Sequence, residues 1–142
     1  MTLWESMVKA VIVELHGDNN SGDVVRYTVA DSPSISKGTL CKLATPNTAS
    51  AGTGSGEAFA GIASTDKEAN DGSTTLGFFT NGIFDIQESG NSGISAGDIV
   101  VISGADLIRK ATSGDLLTGA AIGKALEDAS VDEVITVKVG GF

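Results

Sequence analysis

Two stretches of this chain follow one pattern. Ile35-Ser36-Lys37-Gly38-Thr39-Leu40-Cys41-Lys42-Leu43 and Ile94-Ser95-Ala96-Gly97-Asp98-Ile99-Val100-Val101-Ile102 both read Ile-Ser-x-Gly-x and then enter an apolar run suited to a strand. Leu40 falls against Ile99, and Leu43 against Ile102. A Thr/Ser/Gly-rich loop then leads to Gly61-Ile62-Ala63 in the first copy and to Gly123-Lys124-Ala125 in the second. Each copy closes on a β-type run and a glycine, Thr75 to Gly82 and Val134 to Gly141. An internal repeat constrains architecture before any single element does, and a unit of roughly sixty residues present twice is too long and too few for a solenoid. The expectation is two similar β-subdomains or two halves of one barrel, with copies at about 30–88 and 89–142. Gly38 and Gly97 should then occupy equivalent turns that need positive φ.

At 142 residues the chain suits one domain, and one this size buries about 70% of its unfolded surface. Nineteen glycines against two prolines point to many tight turns. With five Phe, one Tyr and one Trp, the core must be built from Val, Ile, Leu and Ala. Such a core is thin, and it favours stabilisation by assembly. The net charge of −9 argues against nucleic acid, whose binding depends on Lys/Arg neutralising phosphate, and against anionic membrane surfaces. No apolar run approaches the ~20 residues of a membrane span, and no signal-peptide pattern is present. An intracellular protein, or one assembled inside a cell, is expected.

Residues 1–16 read as an N-terminal arm and 17–142 as a single β-rich domain with little helix. Leu3, Trp4, Met7 and Val8 are spaced for one helical face too short to be stable alone. Val11 to Leu15, including Val13, reads as a strand, and Val24 to Val29 as another with Val25, Tyr27 and Val29 on one face. The turn cluster between them predicts a hairpin. Thr45 to Gly56 reads as the most flexible loop. Strands are expected over Ala58 to Ser64, Thr74 to Thr80, Ile83 to Gln87, Leu107 to Ala111 and Val134 to Val139. Asn81-Gly82 is a two-residue hairpin signal. Asp115 to Leu126 could be a helix, but Gly119 and Gly123 weaken it, and a strand near Ala120 to Leu126 fits the repeat better.

Residues that could carry chemistry are sparse. Gly52-x-Gly54-x-Gly56 lacks the Gly-Lys-Ser/Thr and the strand–loop–helix setting of a phosphate loop. Asp18-x-Asn20-x-Gly22-Asp23 has its glycine one position early for a calcium loop, and no terminal glutamate. One histidine, His16, excludes a multi-histidine zinc site, and Cys41 with His16 is the sole Cys–His combination. Cys41 reads as a small buried hydrophobe. Glu127, Asp128, Asp132 and Glu133 read as a solvated turn. No catalytic, cofactor or metal residue is assigned, and an enzyme is not expected. Trp4 is a candidate anchor for a partner, because Trp is enriched among binding hot spots, or else a cap on the domain's own core. The arm could also add a strand to a partner sheet. Its partner-binding candidates are Leu3, Trp4, Met7, Val8, Val11 and Val13.

The repeated motifs Gly38-Thr39-Leu40-Cys41, Gly61-Ile62-Ala63 and Gly82-Ile83-Phe84, with Gly97-Asp98-Ile99-Val100, Gly123-Lys124-Ala125 and Lys138-Val139-Gly140, carry a resemblance. Over residues 22–142 the chain resembles the capsid decoration (cement) proteins of tailed viruses, including the group similar to phage lambda's head-stabilising protein. That resemblance implies an all-β, barrel-like ("tulip") subunit that forms a homotrimer. Such trimers sit on the capsid's outer surface at three-fold positions, on the major capsid protein, and stabilise the head against internal DNA pressure. It implies synthesis in the host cytoplasm and an N-terminal arm ordered against the capsid, the place of residues 1–16. Two other readings stand beside it: another virion component, such as a tail-tube, neck or fibre protein, and a carbohydrate-binding host-recognition module. The second would stack sugars on Trp4 or Tyr27.

Overall fold

The computed structural model describes residues 9–17, 22–90 and 93–140. Strands dominate: β1 (Val11–Glu14), β2 (Val24–Thr28), β3 (Leu40–Thr45), β4 (Thr48–Ala51), β5 (Phe59–Ala63), β6 (Thr75–Phe79), β7 (Gly82–Glu88), β8 (Ile99–Gly104), β9 (Leu107–Lys110), β10 (Gly123–Ala125) and β11 (Val134–Val139). The one helix among the described residues, α1, spans Ser113–Leu117. Strands β2-β4-β3-β5-β6 close into one barrel. Strands β7-β9-β8-β10-β11 close into a second, because β7 pairs with both β11 and β9. The protein is therefore all-β and made of two small barrels, which decides between the two arrangements the repeat left open. Strand β1 adds to the second barrel along β7.

The two barrels share one register. The parallel pair Thr28↔Thr48 recurs as Gln87↔Leu107. The pairs Leu40↔Ile62 and Cys41↔Gly61 recur as Ile99↔Lys124 and Val100↔Gly123. A bulge between Leu43 and Thr45 recurs between Ile102 and Gly104. The turns that follow, Pro46-Asn47 and Ala105-Asp106, each end on a positive-φ residue, Asn47 at 53° and Asp106 at 60°. Both are residue types that tolerate the left-handed region. Gly38 and Gly97 stand at φ 89° and 95°, and their N–H groups donate to Ala63 and Ala125 at 2.9 and 2.8 Å.

Several sequence expectations are corrected. Asn81-Gly82 is not a hairpin: β6 and β7 belong to different barrels, and Thr80-Asn81 crosses between them into Gly82. Gly82, at φ 127°, is required there because a Cβ would lie 2.9 Å from the Glu14 carbonyl oxygen. Strands β1 and β2 form no hairpin either; β1 pairs with β7, and β2 with β6 and β4. Thr45 to Gly56 is not a free loop, since β4 hairpins onto β3 and buries Ala49. The repeat begins one strand earlier than expected, so β2 opens the first copy and β7 the second. The strand expected near Ala120 to Leu126 is present as β10, with α1 ahead of it.

The barrels dock through residues whose counterparts differ. Leu40, Ile62 and Phe79 point out of barrel 1 and join the core of barrel 2, with the Phe79 and Phe84 rings 5.8 Å apart. The positions equivalent to Leu40, Ile62 and Phe79 on barrel 2 are Ile99, Lys124 and Lys138. Two lysines thus stand where barrel 1 presents its docking face. A further barrel could bury that face only by desolvating charge.

Candidate functional site

The N-terminal segment lies between the barrels. Ala10 N–H donates to the Gly38 carbonyl at 3.0 Å, and Ile12 opposite Phe84 packs on the core. Lys9 Nζ reaches Asp106 Oδ2 at 2.6 Å, while Asp106 Oδ1 accepts the Leu40 N–H at 3.1 Å. One carboxylate on a barrel 2 turn therefore ties the N-terminal segment to barrel 1. Beside this strand an apolar cleft of about 420 Å³ is lined by Ala10, Ile12, Ile62, Phe79 and Phe84, with Lys9 and Lys37 among its other walls.

Of the arm candidates, Leu3, Trp4, Met7 and Val8 lie outside the described residues. Val11 and Val13 are on β1 with their side chains exposed, and Val13 falls at a register shift between Ile12 and Glu14. From Ala10 onward the segment is built into the sheet. Asn81 Nδ2 donates to Asp23 Oδ2 at 2.8 Å, which holds the crossover against the start of β2.

The chemistry-bearing residues are engaged in structure. Thr53 and Gly54 N–H groups both donate to Glu57 Oε1 at 2.9 Å, and Lys42 Nζ donates to Glu57 Oε2 at 2.8 Å. The anion cradled by the glycine-rich turn is thus the chain's own carboxylate. Burial pushes the Glu57 pKa up, but Lys42 and the two N–H groups outweigh it and hold the group below its ordinary value. Gly52 is small for packing reasons, since a Cβ would lie 3.0 Å from Ile102 Cδ1.

Burial, with Asp106 nearby, pushes the Cys41 thiol up to about 12 against the opposing charge of Lys9. Its sulfur faces the Thr39 carbonyl at 3.6 Å, while His16 meets Glu14 at 3.2 Å. Neither partners the other. In the acidic run, Glu127 accepts Thr136 N–H, Asp128 accepts Ala96 N–H and Glu133 accepts Ser130 N–H, each at 2.8 Å. These carboxylates fasten turns of barrel 2. Among the described residues no three His, Cys, Asp or Glu side chains converge to hold a metal ion.

Sequence reading missed Asp106 and Glu57. The only signal available was positional: Asp106 occupies the repeat place of Asn47, so an acid at a turn that needs merely an αL-tolerant residue hinted at a second duty.

The geometry is that of an all-β tandem of small barrels in which the described polar side chains brace turns. No family model and no curated protein matches the chain. Among solved structures it is similar to the head fiber gp8.5 N base in bacteriophage phi29, with a TM-score of 0.50 and 14% identity over 83% of this chain and 93% of that one. At that identity the likeness is one of fold.

Proposed function

We propose that this chain is a virion structural protein of a tailed phage, carried on the head. The observation that supports the reading is the fold it shares, over 83% of its length, with the base of a phage head fiber. The finer reading is a decoration protein. It binds the major capsid protein on the outer surface of the mature head, as a homotrimer at three-fold positions. A ligand that binds only the assembled state stabilises that state by mass action, and repetition over a lattice adds avidity. Bound this way, it resists rupture by packaged DNA. It is made in the host cytoplasm and ends in the virion.

A second reading, favoured by the same structural likeness, is the base of a head fibre, which would hold a projecting partner rather than clamp capsid subunits. Purified virions separated into heads and tails test the shared claim. The chain should fractionate with heads, and recovery with tails, or absence from virions, would refute it. Heads lacking the protein then separate the finer readings: a decoration protein lowers the temperature of DNA release when removed, and a fibre base leaves it unchanged.

A further inference from the structure

The repeat shows a place that is filled on one barrel and, among the described residues, open on the other. On barrel 2, β1 runs antiparallel to the first half of β7, with Val11 opposite Asp85 and Ile12 opposite Phe84. The equivalent residues on barrel 1 are Arg26 and Val25 of β2. Backbone groups of successive residues in a strand point to opposite sides. Thr28 N–H leaves β6 and donates to the Asn47 carbonyl at 2.8 Å, so the N–H and C=O of Val24 and Arg26 face the same way. Among the described residues no strand pairs with Val24–Arg26 on that side. The apolar side chains tell the same story. Phe84 and Ile102 are 0% exposed beneath β1 and barrel 1, while their counterparts Val25 and Leu43 are 39% and 40% exposed, with Val24 at 44%.

We infer that the open edge of β2 is an acceptor for an extended segment of a different protein. Strand β1 is the template for its chemistry. The segment runs antiparallel to β2, sets a branched apolar residue opposite Val25 as Ile12 stands opposite Phe84, and places a carboxylate opposite Arg26, which no ion pair among the described residues engages. A second copy continuing the barrel-on-barrel packing is disfavoured, because the face it would offer carries Lys124 and Lys138 in place of Ile62 and Phe79. Strand addition takes affinity from main-chain bonds and specificity from alternate side chains, which suits a barrel with an unprotected edge. The inference stands whether or not the chain rides on a phage head.

The test uses the full chain and a peptide of residues 9–15 carrying Val11→Glu, titrated to millimolar concentration and followed by amide NMR and hydrogen exchange. Shifts should centre on Val24, Val25 and Arg26, and slowed exchange on the outward amides of Val24 and Arg26. The unaltered peptide should bind several-fold more weakly, and Arg26→Glu should reverse that order. Val24→Pro removes an outward N–H at the first residue of the strand and leaves the β6 ladder intact; it should cost about tenfold in affinity with the melting temperature little changed. Four results would overturn the inference: no perturbation of β2, binding indifferent to charge at position 26, concentration-dependent self-association through β2, or amides of Val24 and Arg26 already protected in the free chain.

Discussion

Lys9 and Asp106, 97 residues apart, meet at 2.6 Å, and the other oxygen of the same carboxylate takes the Leu40 N–H. Asp106 is nearly buried and stands at φ 60°, so three parts of the molecule depend on it: the N-terminal segment, β3 and its own turn. Asp106→Ala strands a buried N–H and a lysine and should cost about 3 kcal/mol. Asp106→Asn keeps an acceptor and tolerates positive φ, and about half that loss is expected. Urea unfolding measures both; equal stability of all three proteins would show that the latch holds nothing.

Gly38 and Gly97 share a conformation but not surroundings. A Cβ on Gly38 would lie 2.5 Å from the Ala10 carbonyl oxygen, whereas one on Gly97 meets nothing within 4 Å. Gly97→Ala should cost only the left-handed backbone penalty, about 1 kcal/mol. Gly38→Ala should cost at least about twice that, since it must also push the N-terminal segment away. Thermal melts of the two variants give the comparison, and equal losses would mean that Ala10 does not sit against Gly38.

Cys41 should resist thiol reagents. Its side chain is 0% exposed, and a pKa of about 12 leaves almost no thiolate at neutral pH. Labelling is expected only after unfolding. Rapid modification of the native protein would show that barrel 1 opens readily.

Asp115 carries a pH signature. The bidentate guanidinium of Arg109, at 2.9 and 3.2 Å, and then the Thr112 N–H lower its pKa to about 2. A carboxylate held below its unfolded value contributes stability that is complete above the unfolded pKa and is lost as pH falls through the folded one, here between about pH 4 and about pH 2. Arg109→Gln should flatten that part of the acid-unfolding curve, with little change in its slope at neutral pH. An unchanged acid limb would remove the ion pair from the account.

The repeat was legible because Gly38 and Gly97 mark left-handed turns, and Gly61 and Gly123 mark close approaches, that favour glycine. A Cβ on Gly61 would lie 2.7 Å from Phe78 Cβ, and one on Gly123 would collide with the Lys138 carbonyl. The equivalence of β2 and β7 was not legible. Val24-Val25-Arg26-Tyr27-Thr28 and Ile83-Phe84-Asp85-Ile86-Gln87 share only alternation, which many unrelated strands have. Strand β4, Thr48-Ala49-Ser50-Ala51, is built of small residues that read as loop because its partner strands, not its own propensity, fix it. The Asn81-Gly82 signal describes a tight turn correctly and says nothing of which strand lies beyond it. The open edge of β2 is visible only once both copies are superposed by register.

The most direct measurement of the central claim is sedimentation of the purified protein with expanded, undecorated heads of its virus. The protein should pellet with heads, saturating at three copies per three-fold position, and stay in solution with unexpanded shells. Protein that remains in the supernatant with expanded heads at every concentration would contradict a role as a capsid-bound decoration protein.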